Sequence, residues 1–267
     1  MTTIKELSNL SGRRALITGA TGGLGRVFAD TLAEQGADLI LVDLPDSDFQ
    51  ALSKSLIKGW GIKVEIRSCD LEVQSQRTDL IEELLHSGLG LDILINNAAF
   101  VGTSDLLGWS VPFEDQSINT WRRALEVNLT AVFDLSKGLS PLLKISKGGS
   151  IVNIASIYGM RGPDWSLYEG TSMGNPAAYA ASKGGLIQLT RWLATTVSPG
   201  IRVNAISPGG VFRNQPGEFV KRYESKTPLG RMASEEDFRG AIAYLASDLS
   251  RYVTGVNIAI DGGWSIW

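Results

Sequence analysis

The chain has 267 residues, 25 Lys and Arg against 28 Asp and Glu, a formal net charge of −3, one Cys and one His. Interspersed charges without a basic block exclude a nucleic-acid surface, and one Cys with one His excludes both an internal disulfide and a His/Cys metal cluster, so no metal is expected. No run of about 18 apolar residues occurs and no charged segment precedes an apolar one at the start, so the expectation is a cytoplasmic protein with no membrane partner.

In chain order, the first predicted element is a strand over 14–18. Gly19-Ala20-Thr21-Gly22-Gly23-Leu24-Gly25 follows and opens a helix over 23–35. Strand, glycine-rich turn and helix together suit a phosphate cradle: the glycines permit a tight turn and close backbone approach, and the helix N-terminus receives a pyrophosphate. Strand 38–43 ends at Asp43, near the interval of about 20 residues at which an acid meets the adenosine ribose. A carboxylate there repels a 2′-phosphate, and no Arg or Lys lies between Gly19 and Gly25 to offset it, so NAD is the expected cofactor rather than NADP.

Helix 47–59 and strand 62–68 come next. The strand leads into Cys69, read as a buried inert thiol, and Asp70, read as a cap for helix 72–86 and, by the resemblance given below, as an adenine contact. His86 closes that helix as a surface residue. Strand 91–96 ends in Asn96-Asn97-Ala98-Ala99, helix 117–140 carries Asn128, and strand 149–155 leads to Ser156. The helix over 178–198 places Tyr179 and Lys183 four residues apart on one face, where an ammonium favours the phenolate and lets Tyr exchange a proton near neutral pH. Strand 200–206, helix 234–247 and strand 256–260 complete the alternation, which predicts a parallel sheet with helices on both faces. No internal repeat or linker interrupts it, so 1–267 is read as a single domain of the Rossmann-type doubly wound α/β class.

These motifs, in this order and over residues 12 to 263, resemble those of the short-chain dehydrogenases/reductases. Thr18 to Gly25 resembles their TGxxxGxG turn, Asn96 to Ala99 their NNAG segment, Tyr179 with Lys183 their YxxxK pair, Pro208-Gly209 the turn after the sixth strand, and Asp261-Gly262-Gly263 their C-terminal DGG. The resemblance implies a seven-stranded sheet in the order 3-2-1-4-5-6-7 and an NAD-dependent oxidoreductase interconverting a secondary alcohol and a ketone. It implies a catalytic set of Asn128, Ser156, Tyr179 and Lys183: Ser156 holds the substrate oxygen, Tyr179 transfers the proton, Lys183 also grips the nicotinamide ribose, and Asn128 holds a water linking Lys183 to solvent. The cofactor set it implies is Gly19, Thr21, Gly23, Leu24, Gly25, Asp43, Asp70, Leu71, Asn97, Ala98, Tyr179, Lys183, Pro208, Gly209 and Val211. Relatives often carry a Thr near the position of Arg213, which is read as facing the pyrophosphate, facing an acidic substrate, or standing in solvent. A homotetramer or homodimer is implied as well, and the small residues around Tyr179 suit a helix–helix contact.

The interval from Ser156 to Tyr179 is longer than the family usually shows. The insertion, about 159–176, mixes aromatic and polar side chains, so Trp165, Tyr168 and Glu169 are expected to line a substrate site together with Ser156 and Tyr179. That composition suits a sugar, sugar derivative or polyol, and the segment bears a looser resemblance to dehydrogenases of bacterial surface-sugar and flagellin-glycosylation pathways. An insertion packed at a subunit interface is the alternative. The competing functions are a 3-oxoacyl or other carbonyl reductase and a cofactor-binding regulatory protein on the same scaffold.

Overall fold

The computed structural model describes residues 1–101, 106–146 and 148–267. Strands β1 (Arg14–Thr18), β2 (Asp38–Asp43), β3 (Val64–Ser68), β4 (Ile93–Asn96), β5 (Gly149–Ile154), β6 (Ile201–Pro208) and β7 (Asn257–Ile260) form a sheet in the order 3-2-1-4-5-6-7. Every pairing is parallel, so the expected strand order and direction are what the chain adopts.

Parallel strands covered on both faces read as continuous apolar runs rather than alternating ones. In β1, Ala15 and Ile17 enter one core layer while Leu16 enters the other; Leu39 and Leu41 of β2 part from Ile40 and Val42 in the same way. The first layer is closed by Phe28 and Leu32 of α2 (Gly23–Glu34), by α3 (Phe49–Trp60), and by Ile242 and Leu245 of α9 (Arg239–Ala246). The second is closed by Leu80 and Leu84 of α4 (Gln74–His86), Leu135 and Leu139 of α6 (Ala131–Ile145), and Leu193 of α7 (Ala177–Val197). The remaining helices, α1 (Ile4–Ser8), α5 (Ile118–Leu125) and α8 (Gly217–Ser225), lie outside these two layers.

Four elements differ from the expected pattern, the first being the short helix α1, which was not expected. The helix predicted over 117–140 is α5, a π turn at Glu126–Thr130, and α6, which continues through Pro141 to Ile145. Pro141 has no N–H to give the Lys137 carbonyl, and the Ser140 hydroxyl donates to it instead at 2.9 Å. The segment predicted over 234–247 divides into a 3₁₀ turn, Glu235–Phe238, opened by a Ser234–Asp237 capping box, and then α9. Helix α8 was not expected, because its sequence gives only a short apolar stripe.

The π turn is anchored from α4. Arg77, 2% exposed, gives Nε to Asp134 at 2.9 Å, Nη2 to Glu126 at 2.7 Å and Nη1 to the Leu71 carbonyl at 2.5 Å. It therefore grips both sides of the segment that carries Asn128. Removing it leaves two carboxylates, each about a third exposed, and a carbonyl without partners. Arg77→Ala is expected to lower stability by about 2–3 kcal/mol, discounted for the solvent that reaches the acids, as read from urea unfolding.

Candidate active site

The carboxyl ends of β1, β4, β5 and β6 open onto a cleft of about 680 Å³ lined from Gly19 to Gln215. Its floor is the glycine turn. Gly19 has φ +62°, and a side chain there would press on the Ala98 backbone at 2.8 Å. Gly25 is tighter still: an added Cβ would lie 2.0 Å from the Gly19 carbonyl oxygen. The turn is fixed to β4 by Thr18 and Asn97. The Thr18 hydroxyl accepts from the Asn97 and Ala98 N–H groups at 3.0 Å each, and Asn97 Nδ2 donates to the Thr18 and Gly19 carbonyls at 2.9 Å each. Thr18 opens the glycine-turn motif but was not among the expected cofactor contacts.

Asp43 stands at the end of β2 as expected, and its carboxylate is already oriented. Oδ2 accepts from Thr21 N at 2.8 Å and Thr21 Oγ1 at 2.7 Å, while Oδ1 accepts from Leu44 N at 2.9 Å. Asp70 borders the same cleft, but its side chain accepts from Glu72 N at 2.9 Å in a local turn, and the first turn of α4 has no side-chain cap. Leu71 and Cys69 lie beside it. Burial pushes the Cys69 thiol up to about 11, in keeping with an inert residue. A pair that the sequence did not reveal, Arg123 with Glu72 at 2.7 Å, closes this end, with the Arg123 guanidinium 5.1 Å from the Phe100 ring centroid.

At the other end, Ser156, Tyr179 and Lys183 all line the cleft, as do Pro208, Gly209 and Val211. Ser156 follows β5 and Tyr179 lies in the first turn of α7, and both border the same cleft. Lys183 is 2% exposed; its Nζ donates to the Ile154 carbonyl at 2.7 Å and lies 5.8 Å from the Tyr179 ring centroid. Burial brings the Lys183 ammonium down to about 8. Burial also pushes Tyr179 up, while Lys183 Nζ donates to a carbonyl rather than to the Tyr179 hydroxyl.

Asn128 is fully buried but does not line the cleft. Its Oδ1 accepts from Phe100 N at 2.6 Å, and its Nδ2 donates to Phe100 O at 3.3 Å and Ser182 Oγ at 3.0 Å. Ser182 in turn donates to the Tyr179 carbonyl at 2.8 Å. The amide is thus committed to the chain on both sides and reaches Tyr179 through its backbone. The Arg213 side chain is 54% exposed, as the solvated reading expects, but it has partners. It lines the cleft, pairs with Glu235 at 3.2 Å, and lies so close to α2 that a Cβ on Gly23 would meet its Nη2 at 2.8 Å.

A second cavity of about 300 Å³ adjoins the cleft at Tyr179 and Val101. Of the three expected wall residues in the insertion, only Tyr168 borders it. Trp165 is 58% exposed and Glu169 faces solvent, so these two assignments are corrected. Leu167 is the cause: it is fully buried in a small core with Phe219, Tyr223 and Trp264, which turns its neighbours outward. Tyr158 and Asn175 border the cavity and escaped the sequence reading.

A family model described as Enoyl-(Acyl carrier protein) reductase matches residues 19–265. The chain is 33% identical to the 2,5-dichloro-2,5-cyclohexadiene-1,4-diol dehydrogenase of Sphingobium indicum, over 97% of this chain and 98% of that one. It is 35% identical to the trans-4-hydroxycyclohexanecarboxylate dehydrogenase of Sinomonas cyclohexanicum, over 93% and 91%. Among solved structures, one described as a putative NAD(P)-dependent gluconate 5-dehydrogenase from Beutenbergia cavernae, with bound NADP, superposes with a TM-score of 0.86 at 32% identity, over 98% and 100%. A short-chain dehydrogenase from Leptospira borgpetersenii with bound NAD+ superposes at 0.84 with 33% identity, over 99% and 96%. The chain belongs to the short-chain dehydrogenase/reductase family of oxidoreductases.

Proposed function

We propose that this short-chain dehydrogenase/reductase interconverts a secondary alcohol and a ketone on a small polar substrate, of polyol or sugar-like character, with NAD. The observation that carries the reading is the junction at Tyr179, whose side chain borders both the glycine-floored cleft and the smaller cavity, with Ser156 and Lys183 beside it. The cleft suits a dinucleotide: Gly19, Gly23 and Gly25 leave the space that any Cβ would fill, and the first turn of α2 faces it. A nicotinamide bound there supplies the hydride acceptor or donor.

The protein's own part is positioning and proton transfer. Ser156 holds the reacting oxygen. Tyr179 takes the alcohol's proton in oxidation and returns it to the ketone oxygen in reduction. A buried phenolate is costly, and Lys183, still mainly protonated at neutral pH with its ordinary value brought down to about 8, offsets that cost by its charge. Its remaining N–H groups would serve the ribose hydroxyls of a bound cofactor. The complete trio, lining one cleft, supports an enzyme over a binding-only protein. Two relatives that oxidise ring hydroxyls support an alcohol over an acyl thioester as substrate.

Asp43 supports NAD: its anchored carboxylate would face the 2′-phosphate of NADP without a basic residue in the turn. The whole chain, 1–267, is taken as one domain in which 159–176 is an elaboration. Exposed Phe133 on α6 and Trp192 on α7 support a homodimer or homotetramer built on those helices. No helix among the described residues is long and apolar enough to cross a membrane, and the single thiol suits a cytoplasmic location.

Three outcomes are expected. Tyr179→Phe lowers turnover by at least about 10²-fold while NADH affinity, read by fluorescence titration, changes little; near-normal turnover refutes the assignment. Calorimetry gives NADH binding much tighter than NADPH binding, and Asp43→Ala narrows the gap by removing the repulsion. Light scattering at micromolar concentration gives a dimer or tetramer, and Trp192→Glu shifts it toward monomer.

A further inference from the structure

The cavity beside Tyr179 contains a polar cluster that the proton-transfer chemistry does not use. Asn175 is 6% exposed and borders this cavity, yet among the described residues neither its Oδ1 nor its Nδ2 makes a hydrogen bond. The hydroxyls of Tyr158 and Tyr168, residues that border the same cavity, lie 2.6 Å from each other. Burial holds both phenols above their ordinary value, so both stay neutral. One phenolic proton is shared between the two oxygens, which leaves the other free for a third partner. A buried amide with an unused donor and an unused acceptor is unfavourable unless something else satisfies it.

The cluster is rigid. Tyr158 meets Trp264 edge-on at 6.2 Å between centroids, and Tyr168 packs against Phe219 at 5.5 Å. Both rings are therefore fixed from behind by the insertion's small core, and their hydroxyls are presented to the cavity without further ordering. Trp109, 3% exposed, and Met173 give the same cavity an apolar wall. None of its described lining residues is charged. A carboxylate or phosphate entering here would lose its hydration with no cation to replace it. The volume, about 300 Å³, is at the small end for ligand sites, which run from about 300 to 1,000 Å³.

We propose that Asn175, with Tyr158 and Tyr168, is a second polar anchor that receives a hydroxyl or carbonyl remote from the reacting carbon, and that the substrate is an uncharged single-ring diol or hydroxyketone. The ring lies against Trp109 and Met173, one oxygen meets Ser156 and Tyr179, and the other meets the anchor. The inference rests on the alcohol–ketone reading above and specifies its substrate. Asn175 acts by binding; the redox balance is that of the alcohol and NAD.

The test uses cyclohexane-1,4-diol, cyclohexanol and trans-4-hydroxycyclohexanecarboxylate with NAD and the full chain. The diol should be oxidised with a kcat/KM about 10- to 100-fold above that of either comparison alcohol, because only it satisfies the anchor without bringing a charge. In Asn175→Ala, and in Tyr168→Phe, which removes only a hydroxyl, the diol's advantage over cyclohexanol should shrink by about tenfold, mainly through KM. Equal use of diol and cyclohexanol by the wild type, a preference for the carboxylate, or an undiminished advantage in both variants overturns the anchor. If none of the three alcohols is oxidised, the alcohol–ketone reading is the one at fault for these rings. Titration of the NADH-loaded protein with diol and with cyclohexanol, followed by NADH fluorescence, then decides the anchor separately: tighter diol binding that is lost in Asn175→Ala supports it, and equal binding overturns it.

Discussion

A lysine ammonium closed off from water needs a partner, and here that partner is one backbone carbonyl. The bond from Lys183 Nζ to Ile154 O, 2.7 Å, ties the middle of α7's first turns to the end of β5. Ser156 follows Ile154 by two residues and Tyr179 precedes Lys183 by one helical turn, so a single hydrogen bond sets both at the same edge of the sheet. The approach is close enough that Gly159, just past Ser156, has no room for a side chain: a Cβ there would lie 2.7 Å from the Lys183 carbonyl. Removal of the ammonium from water is unfavourable, and its lowered proton affinity is the measure of that cost. A structure that keeps such a group where an apolar residue would pack more easily does so for the charge.

The rest of the sheet edge is held by polar groups set into the core. Asn96 donates to Asn153 at 2.8 Å and Asn153 to Thr190 at 2.9 Å, which fastens β4 to β5 and β5 to α7. Asn128 spans from Phe100 to Ser182 through the π turn that Arg77 anchors. Each bond is modest alone, but in a low-dielectric interior a satisfied network permits one arrangement and penalises slippage. Apolar packing against the two faces would tolerate small shifts of a helix along a strand; these bonds do not. Precision at the reacting groups therefore derives from buried amides and hydroxyls rather than from the aliphatic layers.

The insertion between Ser156 and Tyr179 is organised by a core of its own. Leu167, Phe219, Tyr223 and Trp264 pack together, with Tyr223 and Trp264 stacked at 5.7 Å and 12°. Asp164 pairs with Lys226, and Arg222 donates to the Glu169 carbonyl, so α8 and the C-terminal tail hold the segment from two sides. That packing explains why Tyr168 meets the substrate cavity while Trp165 and Glu169 meet solvent. Aromatic and acidic residues in a loop announce a surface for contact, but the direction of each side chain follows from which neighbour is buried.

Much of this protein is legible from the order of its residues. Alternating apolar strands and helices determined the sheet, because a parallel strand needs a crossover and both faces covered. The glycine turn, Asp43 and the Tyr179–Lys183 pair were legible because each demands a residue type at a fixed local spacing, and Ser156 through the family resemblance. Other features depend on groups far apart in the chain. Arg77 reaches across from α4 to the π turn that carries Asn128, and tertiary burial raises the phenol of Tyr179. Arg213 covers the first turn of α2 because Glu235 holds it there, and Asn175 faces the cavity with Tyr158 and Tyr168 because the insertion folds onto α8. Local spacing determines what a residue is able to do; burial and long-range partners, which only the folded chain supplies, decide what it faces.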